Sequence, residues 1–387
     1  MKKLLITLAF SALLISNERD DAMAKMMAEF EASKQAQQKE FGDYKTELEK
    51  EYSSYKKELK TYWKEPKLST KQEWVSYTDD KKSRSEVNFE KNSYTVEVIA
   101  KTLKDATSKI KERISYIVSK NTKQVVQTDP LQKRVAKIST SSEVVTSGVN
   151  AKPILSTVIF NSKPSRNQVK TYATNTLKKN KITTTKAKNK KEKVYKVTVK
   201  LPKNSKIKLS AVYQKEVAKN ARRFKLPNEL VFAIMQTESN FNPFAKSHIP
   251  AFGLMQIVPR TAGRDVFKIF HKKKSQPSAT YLYNSTNNIE MGTAYLNVLY
   301  YRYLRKIKDP QTRLYCTIAA YNTGAGNIAW AFTRKYNMNK AAPKINAMSS
   351  EQVYKHLLSD LRFDEPKNYL KRVRRRMKVY KVAYKDL

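Results

Sequence analysis

Leu226–Pro243 reads LPNELVFAIMQTESNFNP. Pro227 suits the first position of a helix and Glu229 its acidic first turn. Leu230, Val231, Ile234 and Met235 recur at helical spacing and form a buried stripe. Glu238 follows Ile234 by four residues and Met235 by three, so its carboxyl falls on that apolar face, and Asn242-Pro243 stops the helix. An acid placed there is partly desolvated, which favours its protonated form and suits it to donate a proton. Cleavage of a glycosidic bond needs such a group, because the departing sugar oxygen must be protonated as the C–O bond breaks. A structural acid paired with one of the many lysines would look the same in this segment alone.

Two further segments sharpen the reading. Ala251–Ile257 (AFGLMQI) precedes Pro259. Gly253 permits close backbone approach, Gln256 offers a donor and an acceptor to a sugar amide or hydroxyl, and Met255 can pack on a sugar ring. Ala319–Gly326 (AAYNTGAG) is a helix end opening into a glycine turn, with the Tyr321 hydroxyl beside the Asn322 amide. Read alone, each is also an ordinary helix end with an apolar core.

In this order and spacing, Glu238-Ser239, GLMQ, Asn288-Ile289 with Gly292 and Tyr295-Leu296, and AYNTGAG closely resemble the lytic transglycosylase family with its lysozyme-like fold. Pro366–Val373, with Tyr369, is similar to the way those domains end. Upstream, Trp74–Asp79 and Arg84–Phe89 resemble, more loosely, the N-terminal domain of a membrane-bound branch, so the likeness covers roughly residues 70–385. The resemblance implies that Glu238 is the catalytic acid, that Ser239 follows it in the motif, and that Ser247 lies near the reacting sugar. It implies that Met255, Gln256, Tyr321 and Asn322 line the glycan groove, with Tyr369 a further member. The implied reaction is not hydrolysis: the acid protonates the bond between N-acetylmuramic acid and N-acetylglucosamine. The same group, as carboxylate, then takes the proton of the muramic acid C6 hydroxyl as that oxygen closes on C1, leaving a 1,6-anhydro end. Between Glu238 and Tyr321 the acids are Asp265, Glu290 and Asp309, none in a groove motif, whereas two-carboxylate glycosidases need a second acid across the bond. A muramidase of the same fold, admitting water instead, and a non-catalytic peptidoglycan-binding protein are the alternatives.

The bulk composition of the 387 residues is basic, with 77 Lys+Arg against 34 Asp+Glu and a formal net charge of +43. Such a field favours anionic partners. No zinc spacing, arginine-rich recognition helix or RNA-binding aromatic signature accompanies it, so the expected partner is peptidoglycan glycan strands and not nucleic acid. Cell-wall machinery is a further possible partner, through the N-terminal region. Cys316 sits in an apolar helical run, and His248, His271 and His356 lack metal-ligand spacing, so neither a disulfide, a metal nor a cofactor is expected.

Lys2-Lys3 followed by Leu4–Ile15 (LLITLAFSALLI) is a positive n-region and an apolar h-region of signal-peptide length, which points to export into the periplasm. The membrane-bound branch carries a lipid-accepting Cys after this stretch; Asn17 stands in its place, so a lipid anchor by that route is not expected. Phe41, Tyr44, Leu48, Tyr52, Tyr55, Leu59 and Tyr62 form one stripe at helical spacing, ended by Pro66. Beyond it, Ser85–Glu90 and Ser93–Ala100 alternate like paired strands, Thr102–Ser119 and Ser165–Lys178 read as helices, and Pro153–Phe160 and Val194–Leu201 as strands. The expected fold class is α+β. A signal-peptide region spans 1–24, a helical arm 25–68, a small α+β domain 69–203, and a mainly helical, lysozyme-like catalytic domain 204–387.

Overall fold

The computed structural model describes residues 42–138, 144–248 and 250–385. The signal-like stretch and residues 25–41 of the expected arm lie outside the described residues. The chain divides into two compact units, Met1–Lys50 with Ile138–Ser141, and Glu51–Lys137 with Ser142–Leu387. In the first, residues 42–50 are helical. Everything that follows concerns the second.

Residues 51–59 are helical and bury Tyr52, Tyr55 and Leu59, three members of the predicted stripe. The helix ends at Leu59, before Pro66 is reached. Trp63 is drawn sideways instead, its indole N–H donating to the Lys81 carbonyl at 2.7 Å and its ring covered by the Arg84 guanidinium at 4.1 Å. The chain then runs without regular structure to the first strand.

An antiparallel five-stranded sheet follows, in spatial order Glu73–Tyr77, Ser83–Asn88, Ser93–Ala100, Lys193–Lys200 and Thr183–Lys186. Ser93–Ala100 is central because SYTVEVIA is apolar enough to bury Tyr94, Val96 and Val98 completely. Lys193–Lys200 alternates, with Tyr195, Val197 and Val199 inward and lysines outward, while Thr183–Lys186 is a fully exposed, lysine-ended edge that discourages further strand pairing. Helices Leu103–Ser119 and Arg166–Lys179 pack on one another, and the first also covers the central strand.

Pro153–Phe160, expected as a strand, is instead a short helix over Ser156–Phe160, closed by Asn161 at φ 61°. Ile154, Leu155 and Val158 are its buried apolar residues, and that spacing is helical; a short apolar run does not by itself distinguish the two periods. At Asp129-Pro130 the Asp129 carboxylate accepts from the amides of Leu131 and Gln132 and starts a new helix, Pro130–Ala136.

From Ser205 onward the chain is mainly helical, with a short strand, Gln276–Pro277, paired in parallel with Val144–Val145. Asn228–Ser239 lies at its centre, with Leu230 to Met235, Thr237, Glu238 and Ser239 all buried, so apolar contact surrounds the helix instead of forming one stripe. Pro227 precedes the helix in extended conformation, and Asn240 ends it at φ 51°, two residues before the predicted stop at Asn242-Pro243. The long helix Asp364–Ala383 packs along it. Phe232 stacks on Tyr380 and Tyr384 at centroid separations of 5.3 and 4.4 Å, fixing the rotation of one helix against the other.

Candidate active site

That rotation presents three consecutive polar side chains to one helix face. Tyr380 donates to Gln236 Oε1 at 2.9 Å, Arg376 to Thr237 Oγ1 at 2.8 Å, and Tyr369 to Glu238 Oε1 at 2.8 Å. Glu238 is 5% exposed, and burial is the largest influence on its carboxyl, pushing it above the usual range; the Lys71 ammonium and the Tyr369 hydroxyl pull the other way. Lys71 Nζ lies 3.2 Å from Glu238 Oε2, so each carboxyl oxygen has one partner. Burial and the nearby Glu238 charge hold the Tyr369 phenol well above its ordinary range, keeping it a donor.

Glu238 opens onto a cavity of about 810 Å³. Ser247, Gln256, Tyr321 and Asn322, all singled out in the sequence, line it with Glu238. Gln256, at φ 49°, spends its amide N–H groups on the carbonyls of Ala245 and Gly253, both at 3.0 Å, while its Oε1 is buried with no protein partner. Tyr321 donates to the Met255 carbonyl at 2.8 Å, and Asn322 donates to Glu365 Oε1 at 2.9 Å.

Three residues of the predicted set do not line the cavity: Tyr369 is buried against the acid it donates to, and Ser239 and Met255 turn into the core. Ser239 is fully buried, its hydroxyl donating to the carbonyls of Met235 at 3.0 Å and Leu254 at 2.8 Å. Its neighbour in sequence is Glu238, but one helical step is about 100°, enough to turn it into the core. Met255 is also fully buried, packed on Gly292, where a side chain would overlap its sulfur. Its amide donates to Asn288 Oδ1 at 2.8 Å, and Asn288 Nδ2 donates to the carbonyls of Phe252 and Leu282. Both residues thus shape the wall from behind. Cys316 is likewise a core residue, burial pushing its thiol up to about 12.

The cavity also contains groups that no motif announced. Lys71, Gln72, Tyr52, Lys246 and Glu365 all line it. Glu365 is a second carboxylate, beyond the interval between Glu238 and Tyr321 in which acids were sought. The three acids within that interval are engaged elsewhere: Asp265 accepts from Tyr303, Glu290 pairs with Arg223 at 2.6 Å, and Asp309 caps Pro310–Thr323 through the Thr312 amide.

A family model described as the transglycosylase SLT domain matches residues 215–343. The chain is 35% identical over 314 residues to membrane-bound lytic murein transglycosylase C of Sodalis glossinidius (strain morsitans), covering 80% of this chain and 83% of that one. Against the protein of the same name from Yersinia pestis (strain Pestoides F) it is 34% identical over 313 residues, covering 80% and 82%. Among solved structures, the 70-kDa soluble lytic transglycosylase of Escherichia coli matches with a TM-score of 0.34 and 25% identity, over 44% of this chain and 24% of that one.

Proposed function

Because the chain belongs to the family of membrane-bound lytic murein transglycosylase C, we propose that Glu238 is its catalytic acid and that the cavity before it seats a peptidoglycan glycan strand. The protein is a peptidoglycan lytic transglycosylase. The observation that carries the assignment of its acid is a buried carboxyl, favoured in its protonated form, at the wall of an open cavity. Glu238 donates its proton to the N-acetylglucosamine oxygen as the bond to C1 of N-acetylmuramic acid breaks. The C6 hydroxyl then closes on C1 and returns its proton to Glu238, forming the 1,6-anhydro ring. One carboxyl serves both transfers, so no second acid has to activate water.

Gln256, Ser247, Tyr321 and Asn322 hold the sugars in this reading, and Tyr369 orients the acid. Ser239 and Met255 support the wall. Removing the Tyr369 hydroxyl, by Tyr369→Phe, should cost about tenfold in kcat/KM, the value of one hydrogen bond to a charged group. A variant of native efficiency would show that the hydroxyl contributes nothing to turnover.

Substitution of Glu365 tests ring closure against hydrolysis. This residue is exposed, tied to Asn322, and in the first turn of Asp364–Ala383, where an acid favours the helix regardless of chemistry. Mass analysis of soluble products from purified peptidoglycan is expected to give anhydro-muropeptides with the native protein and with Glu365→Gln alike. Reducing ends from the native protein, lost in Glu365→Gln, would instead make the enzyme a muramidase that uses this second carboxylate.

We further propose that residues 204–387 form the catalytic domain, that residues 69–203 position the strand, and that the enzyme works in the periplasm. The signal-like Lys2-Lys3 and Leu4–Ile15 support export, and the net charge of +43 supports retention near anionic wall polymer, an attraction that salt screens. The relatives are named membrane-bound, while no helix among the described residues is long and apolar enough to cross a membrane.

A further inference from the structure

We propose that Lys71, carried on the stretch between the 51–59 helix and the sheet, is a positioning residue for the reaction, its ammonium steadying the Glu238 carboxylate each time the acid gives up its proton. The inference rests on the reading of Glu238 as the acid.

The pairing is built in and is not a chance surface contact. Glu238 and Lys71 are 167 residues apart, and the Glu238 side chain is only 6% exposed against 37% for Lys71. The backbone that carries Lys71 is tied to the turn that ends the Glu238 helix. Asn242 Nδ2 donates to the carbonyls of both Thr70 and Lys71 at 3.3 Å, and the Lys246 amide donates to Thr70 at 3.4 Å. Asn240 Nδ2 donates to Gln72 Oε1 at 2.5 Å, and Trp74 packs on Phe244 at 5.4 Å between ring centroids. The acid and its cation are thereby tied to the same few residues at the end of the Glu238 helix.

A cation at this place favours the chemistry at one moment. When the C1–O bond breaks and the proton leaves with N-acetylglucosamine, Glu238 becomes a carboxylate in a buried site, the costly form there. Lys71, at 3.2 Å from Oε2, offsets that cost until the C6–O–C1 bond forms and the C6 hydroxyl proton returns to the carboxylate. Other groups also act on Glu238 or line its cavity. Tyr369 donates to it, the Glu365 charge opposes its ionisation, Tyr321 feels its charge, and Lys246 and His248 share the cavity. Lys246 lies over the Tyr52 ring, 3.0 Å from its centroid. Among these, Lys71 is the cation within ion-pair distance of the acid.

Removing the ammonium makes Glu238 a weaker acid. With Lys71→Met, the maximal kcat/KM on soluble glycan strands should fall roughly tenfold, and the alkaline limb of its pH profile should move to higher pH. Lys71→Arg keeps the charge and should stay near the native profile. A second reading needs no substrate: in the full-length enzyme labelled with ¹³C at glutamate side chains, the Glu238 resonance, identified by its loss in Glu238→Gln, should titrate at higher pH in Lys71→Met. A Lys71→Met enzyme that is slower but titrates and profiles like the native one would overturn the proposal, leaving Lys71 a structural residue. An active Glu238→Gln enzyme would instead remove the acid assignment itself, an outcome distinguishable from the first.

Discussion

Glu238→Gln should lower turnover of peptidoglycan by about 10³-fold while leaving the protein folded, an effect typical of losing a general acid. Gln is nearly isosteric and its amide oxygen can still accept from Tyr369, although its NH2 cannot accept from Lys71 as Oε2 does. It has no acidic proton to give to the leaving oxygen and cannot take one from the C6 hydroxyl. Both halves of the proposed cycle are therefore lost together. The check is release of anhydro-muropeptides from purified sacculi at matched enzyme concentration. Residual activity within tenfold of native would mean that another group supplies the proton, and Glu365 would become the first suspect.

The same substitution has a stability signature whose sign follows from the burial of the acid. The folded state holds the Glu238 carboxyl above its ordinary range, so it binds this proton more tightly than the unfolded chain does. The stabilising contribution of the protonated acid is present in full below the unfolded carboxyl range of about pH 4.3 and is lost as pH rises through the raised folded value. Gln carries no such penalty. Relative to the native protein, the Gln variant should therefore gain stability as pH rises from 4 to 7. Denaturant midpoints measured at pH 7 and near pH 4 test this. A variant less stable at pH 7 than at pH 4, relative to native, would mean that the Lys71 and Tyr369 contacts outweigh burial.

What could be read in the sequence, and what could not, follows from the range of each signal. The Glu238 helix was legible because its apolar residues, its following Asn-Pro and its acid all lie within eighteen residues. The GLMQ and AYNTGAG turns were legible as motifs, but the direction of single side chains within them was not. Ser239 and Met255 are adjacent in sequence to residues that line the cavity, and geometry sends both inward, to carbonyls and to Gly292 respectively. Tyr369 could be placed in the family's closing stretch, but not the ladder it makes with Arg376 and Tyr380, since that needs the register of two helices. Lys71 had no local signal at all. It is one lysine in a chain carrying 77 basic residues, on an irregular stretch, and only the turn at Asn240 and Asn242 brings it to the acid.

Gly253→Ala should destabilise the protein by about 3 kcal/mol and depress turnover as well, although residue 253 carries no chemistry. Gly253 sits at φ +74°, where a β-carbon costs about 1–2 kcal/mol before any contact is counted. Its β-carbon would also meet the Leu282 carbonyl at 2.5 Å and the Asn288 amide closer still. The carbonyl belongs to backbone and cannot rotate away, so the strain must pass to Asn288. That side chain holds the Met255 amide and two carbonyls; Met255 in turn receives the Tyr321 hydroxyl, and Tyr321 lines the cavity beside Glu238. A displacement of Asn288 therefore reaches the sugar-binding wall through two hydrogen bonds. Gly148 provides the control, since a β-carbon there meets nothing within 4 Å and Gly148→Ala should fall within about 0.5 kcal/mol of native. Urea unfolding of the three proteins, with activity measured well below the onset of unfolding, separates the two effects. If Gly253→Ala matched the Gly148→Ala control in stability, the turn would be soft enough to absorb a side chain. The rigid coupling from Gly253 through Asn288 to Tyr321 would then be untenable.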